Sequence, residues 1–173
     1  RQISAALSAI IILFLITSHN QKKNITERKF FDLRPAFKNK EALGYIFSYG
    51  THTYELFAYR AWIFTFLLWA SLRTPNTISS ELISLIIGIF MFIGMVSSLM
   101  GAKFCLDYGR KKVLMFIGFA TFVFSVICAI SISLSLWVII ILVGIYHAFI
   151  MLDSGALTAG TVSVSDDNER GAI

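Results

Sequence analysis

Six residues stand out because their side chains are costly to place where the sequence puts them. His52, Glu55, Tyr59, Arg60 and Trp62 lie in the apolar run Leu43–Leu72, and His147 lies in the run Leu136–Leu157. An ionisable group at the middle of a hydrocarbon layer costs about 3 kcal/mol, so it faces a cavity or a partner rather than lipid. At the helical angle, His52, Glu55, Tyr59 and Trp62 fall within one arc of ~80°. That is a polar face with aromatic rims. Arg60 lies ~140° around from Glu55, which suits a fixed countercharge turned elsewhere. A carboxyl in an apolar cavity holds a proton more firmly than one in water, and an imidazole titrates near neutrality. The chemistry this face suits is loading a proton or hydrogen-bonding a polar solute. Its alternative is an interhelical hydrogen-bond cluster that only fastens helices.

The elements that must position these groups are membrane spans. Of the 173 residues, 57% are apolar and 14% charged, with a mean hydropathy of +0.75. A soluble domain needs far more polar surface. Five apolar segments are expected as helices: Ile3–Thr17, Leu43–Leu72, Ser80–Ala102, Val113–Ile132 and Leu136–Leu157. The first is short and runs into His19-Asn20-Gln21-Lys22-Lys23, which reads as a stop-transfer flank rather than a signal-peptide cleavage region. With no initiator Met and no closing polar tail, the chain is expected to be a piece of a longer one. His147 is about eleven residues from one end of its run and Glu55 about twelve from an end of its own, so both sit near mid-depth. The third and fourth spans have no ionisable interior residue.

Lys22, Lys23, Arg28, Lys29, Arg34, Lys38 and Lys40 lie between the first two spans, and Lys103, Arg110, Lys111 and Lys112 between the third and fourth. The opposite loops carry only Arg73. The positive-inside rule then places segments 18–42 and 103–112, with the C-terminal end, in the cytoplasm. The net charge of +5 is explained by these loops, and no nucleic-acid partner is expected. Cys105 and Cys128 form neither a disulfide framework nor a metal-ligand spacing, and no phosphate-binding glycine loop is present. No cofactor, metal or ATP drive is expected.

The stretch Gly101-Ala-Lys-Phe-Cys-Leu-Asp-Tyr-Gly-Arg-Lys-Lys112 resembles the signature between two helices of the major facilitator superfamily: a Gly, an Asp, then Gly-Arg-Lys/Arg. Its parts are Gly101, Asp107, Gly109, Arg110, Lys111 and Lys112. Gly109 permits a tight turn, Asp107 can cap or bridge a helix N-terminus, and the cations stay at headgroup level. Here Asp107 is two steps before Gly109 where the family usually has three. Tyr49–Trp62 is similar to the seventh helix of bacterial facilitator permeases. Asp153–Gly160, followed by Glu169-Arg170-Gly171-Ala172, is similar to the end of their tenth helix and the loop beyond it. The resemblance implies an all-α, polytopic transmembrane bundle in two six-helix halves. On that reading 1–17 ends the first half, 18–42 connects the halves, and 43–173 begins the second. It also implies that the second and fifth spans of this chain border a central cavity. Those are the two spans with mid-depth ionisable groups.

The resulting expectation is a multi-pass plasma-membrane (inner-membrane) permease, not an enzyme. It would carry a small molecule or ion by alternating access, with proton coupling as the expected drive, and it would act as a monomer in the lipid bilayer. Asp153 and Arg170 are assigned structural places at helix ends. Two alternatives remain: an integral membrane enzyme using His52 and Glu55, against which no serine–histidine–acid set or metal cluster is apparent, and a non-transporting sensor or scaffold.

Overall fold

A computed structural model describes residue 37, residues 39–75 and residues 77–164, all within one compact unit, Leu33–Ile173. The expected first span, most of the connector 18–42, and Arg170 with its loop lie outside the described residues. The elements are α1 (Lys40–Leu72), α2 (Ser80–Tyr108), α3 (Arg110–Ile130), a 3-10 turn (Ser131–Ser133), α4 (Leu136–Leu152) and α5 (Ser154–Val164). No strand occurs among the described residues.

Local chemistry accounts for the ends of α1. The Asn39 side chain accepts a hydrogen bond from the Ala42 N–H at 3.0 Å, and Glu41 in the first turn complements the helix dipole. The same Asn39 donates from Nδ2 to the Val164 carbonyl at 2.8 Å, tying the start of α1 to α5. At the other end the Arg73 N–H caps the Ala70 and Ser71 carbonyls, and Pro75 follows too closely for the helix to continue. The Arg73 guanidinium lies 4.1 Å over the Trp69 ring.

α4 is the central element. Its buried positions Leu136, Ile139, Ile140, Val143, Gly144, His147 and Ile150 follow the helical repeat and pack on α1, α2 and α3. Leu67 of α1 and Ile83, Ile86 and Phe90 of α2 complete this core. The outward faces carry exposed Leu85, Phe92, Leu99, Phe116, Phe119 and Phe122, an apolar surface that lipid solvates and water does not. Among the described residues, three helices are long and apolar enough to cross a membrane: α2, α3 with its 3-10 turn, and α4 continued through α5. α1 falls outside that set because its middle carries His52, Glu55 and Arg60.

Two sequence boundaries need correction. The expected third span stops near Ala102 and gives way to a loop over 103–112. Instead α2 runs on to Tyr108, and Gly109 alone separates it from α3. Nothing in 103–108 breaks a helix, and Gly101 and Cys105, one turn apart, bury the same face. The expected fifth span is one helix to Leu157. The observed one is interrupted at Asp153 and extends to Val164.

Gly109 has φ +88° and ψ 128°, a backbone conformation open essentially to glycine. Replacing it with alanine is expected to cost ~1–3 kcal/mol. A thermal melt of the detergent-solubilised full-length protein would check this; an unchanged melting temperature would mean the turn relaxes freely. Among the glycines of α2, Gly94 and Gly101 are close-packed, whereas a β-carbon added to Gly88 would meet nothing within 4 Å among the described residues.

Candidate functional site

The polar groups of α1 meet α4 in two separate places. In the first, Tyr146 donates from its hydroxyl to Glu55 Oε1 at 2.7 Å, with both side chains half-buried. One turn further along α1, the Tyr59 ring meets Tyr146 edge-on, with centroids 5.8 Å apart, and stacks on His147 at 4.8 Å with 22° between planes. His147 is 1% exposed and Tyr59 8% exposed. Neither the Tyr59 hydroxyl nor either ring nitrogen of His147 has a hydrogen-bond partner among the described residues. A buried polar atom left unpaired costs about 1–3 kcal/mol. His147 fits only because α2 carries Gly94 there: a β-carbon at that position would lie 2.6 Å from Nε2.

In the second place, nearer the start of α1, His52 Nδ1 lies 2.8 Å from Asp153 Oδ1. His52 is buried and Asp153 partly so. The approach is an ion-pair contact, outside hydrogen-bonding alignment. The sequence leads one to expect His52 and Glu55 to act together with His147 facing them. They share a face of α1, but Glu55 goes to Tyr146, His52 to Asp153, and His147 to Tyr59. Asp153, assigned from sequence to capping or bridging at a helix end, reaches across with its side chain to α1. Arg60 is exposed, with its charge within electrostatic range of His147.

An open pocket of about 270 Å³ adjoins the first cluster. α1 lines it with Tyr59, Trp62, Ile63 and Phe66, α3 with Ser125, Cys128 and Ala129, and α4 with Val143 and Tyr146. Each helix contributes residues three or four apart, as one face of a helix must. Trp62 is 69% exposed at its rim. Among the described residues no group of His, Cys, Asp and Glu is placed to hold a metal ion.

The signature residues lie at the opposite end of α2. Asp107 is exposed, and α3 starts at Arg110 behind the N-cap Gly109 with no side-chain cap, so Asp107 does not fill the capping place expected of it. It belongs to the last turn of α2, before the chain reverses. Arg110 donates to the Ser163 hydroxyl of α5, while Lys111 and Lys112 are exposed. Gly101 is not part of a turn but of the α2–α4 contact, against the Leu152 carbonyl.

Tyr146 escapes a reading of the sequence, although it is the one hydroxyl-bearing residue of α4 and adjoins His147. Ser125 and Cys128 escape it as well. Nothing in their spacing says that α3 turns that face toward α1.

Acidic, imidazole and phenol groups are thus held between apolar helices beside a pocket. Residues 10–154 match the family model described as sugar (and other) transporter. The chain belongs to this sugar transporter family of the major facilitator superfamily, whose members are membrane transporters of sugars or similar solutes. No curated protein and no solved structure matched the chain.

Proposed function

We propose that the chain is the inter-half connector and early second half of a proton-coupled secondary transporter that works by alternating access. Its solute would bind against the pocket between α1, α3 and α4. The observation that carries this reading is the Glu55–Tyr146 hydrogen bond beside that pocket. A group able to take a proton then lies one hydrogen bond behind Tyr146, which lines a cavity large enough for part of a small solute. Tyr59, Trp62 and Tyr146 offer ring faces for the C–H surface of a sugar, and the Tyr59 hydroxyl and His147 ring are buried behind that wall. The match to the sugar transporter family supports a hydroxylated solute over an apolar one. The basic ends of α2 and α3 face the cytoplasm in this reading, by the charge rule.

The full-length protein in sealed vesicles tests the proposal. A panel of sugars and polyols should move in response to an imposed pH gradient, and a protonophore should abolish accumulation. Tyr146→Phe removes the donor to Glu55 and leaves ring packing in place. A hydrogen bond to a charged group contributes about 1.5–3 kcal/mol, so gradient-driven flux should fall roughly 10- to 100-fold. Flux that ignores the gradient would exclude proton coupling. Full flux in Tyr146→Phe would remove the Glu55–Tyr146 pair from the mechanism.

A further inference from the structure

We propose that His52 and Asp153 form a proton-dependent latch that clamps α1 to the break between α4 and α5. Asp153 is the single turn residue between those helices; its backbone stays right-handed (φ −86°, ψ −20°), its N–H reaches back to the Met151 carbonyl, and its own carbonyl accepts from Leu157 at 2.8 Å. Ser154-Gly155 follows it, and a Gly/Ser pair is one of the places where a helix bends at low cost. On one side the break rests on α2 through small-residue contacts: Gly101 faces the Leu152 carbonyl and Gly155 faces the Ser98 carbonyl. On the other side the contact is electrical, His52 Nδ1 to Asp153 Oδ1 at 2.8 Å.

Packing contacts do not respond to pH, but this one does. With the imidazole protonated, two opposite charges face each other in a poorly hydrated place, where attraction is strong. When the proton leaves, a carboxylate remains without its countercharge, and burying it there becomes unfavourable. α5 can relieve that cost by swinging Asp153 toward water. The other titratable or charged groups around the pair are accounted for on every helix packed against it. On α1 the Tyr49 ring is 5.9 Å from that of His52, and Glu55 is engaged by Tyr146. On α2 Cys105 senses both Asp153 and Arg110 of α3. On α4 Tyr146 and His147 are turned to Glu55 and Tyr59, and α5 has no titratable residue. Arg110 is held by Ser163 of α5. No other cation is in contact with Asp153 among the described residues. The latch is distinct from the Glu55 pair and does not rest on the pocket's being the solute site.

Hydrogen–deuterium exchange of the full-length protein in lipid nanodiscs reads the latch directly. After correction for intrinsic rates, amides of 150–164 should exchange about fivefold faster at pH 8.5 than at pH 6, the lower end of ordinary coupling strengths. Asp153→Asn and His52→Gln should be fast at both values. The exchanged pair, His52→Asp with Asp153→His, should restore a pH response and guards against simple misfolding of the single variants. Glu55→Gln should keep the wild-type response. Single variants that match the wild-type protein at both pH values would overturn the latch, and so would a response that Glu55→Gln abolishes. Neither result would bear on gradient-driven transport, which is measured separately.

Discussion

Glu55→Gln should leave a transporter that still binds and exchanges solute but no longer accumulates it. The substitution keeps the size of the side chain and an oxygen that can accept from the Tyr146 hydroxyl, which now sits 2.7 Å from Oε1. It removes the one thing a carboxyl has and an amide lacks, the ability to gain and lose a proton. A pH gradient of one unit stores about 1.4 kcal/mol per proton, enough to hold a roughly tenfold concentration ratio of solute. In vesicles of the full-length wild-type protein that ratio should develop. In the variant it should stay near one while exchange of labelled for unlabelled solute continues. Accumulation that survives the substitution would return Glu55 to a helix-fastening role. Loss of both accumulation and exchange would place Glu55 in solute binding rather than coupling, and no flux of any solute by the wild-type protein would favour the enzyme or scaffold alternatives.

This prediction depends on a partner that the sequence did not reveal, and the reason is physical. A helix's own periodicity places side chains around its axis, so the shared face of His52, Glu55 and Tyr59 was legible from spacing. The same holds for the helical spans, since hydropathy and length determine them. Which residue on another helix each of those side chains meets depends on the rotation and offset of the second helix. Those are set by packing. Gly94 and Gly144 let α2 and α4 approach until His147 and Phe90 fill the space a β-carbon would occupy, and this rotation turns Tyr146 toward Glu55. The break at Asp153 was only partly legible: Ser154-Gly155 follows it, but nothing in the sequence shows what that segment packs against. There Leu152 and Gly155 pack closely on Gly101 and the Ser98 carbonyl of α2. The boundary of α2 failed for the opposite reason: charged residues at 103 and 107 look like a loop, yet the buried side of that segment continues a helix.

The close approach of α2 and α4 is also where a single methyl group should do most damage. A β-carbon on Gly101 would stand 1.6 Å from the Leu152 carbonyl oxygen and 2.6 Å from its carbon. Both are backbone atoms, so no rotamer change can make room. Gly101→Ala must therefore push the helices apart by about 2 Å to restore ordinary contact distances, and the packing around Gly94 and Gly155 loosens with it. Overpacking a core costs typically ~1–3 kcal/mol, and a clash with backbone belongs at or above the top of that range. Gly88→Ala is the matched control, on the same helix with open space around it among the described residues. There alanine should be neutral or stabilise by up to ~1 kcal/mol, through helix propensity. Thermal melts of the two purified full-length variants in detergent should thus move in opposite directions or differ widely. Equal melting temperatures would mean that α2 and α4 part without cost. The Glu55–Tyr146 bond and the His52–Asp153 pair, which both depend on where α4 stands, would then rest on something other than this contact.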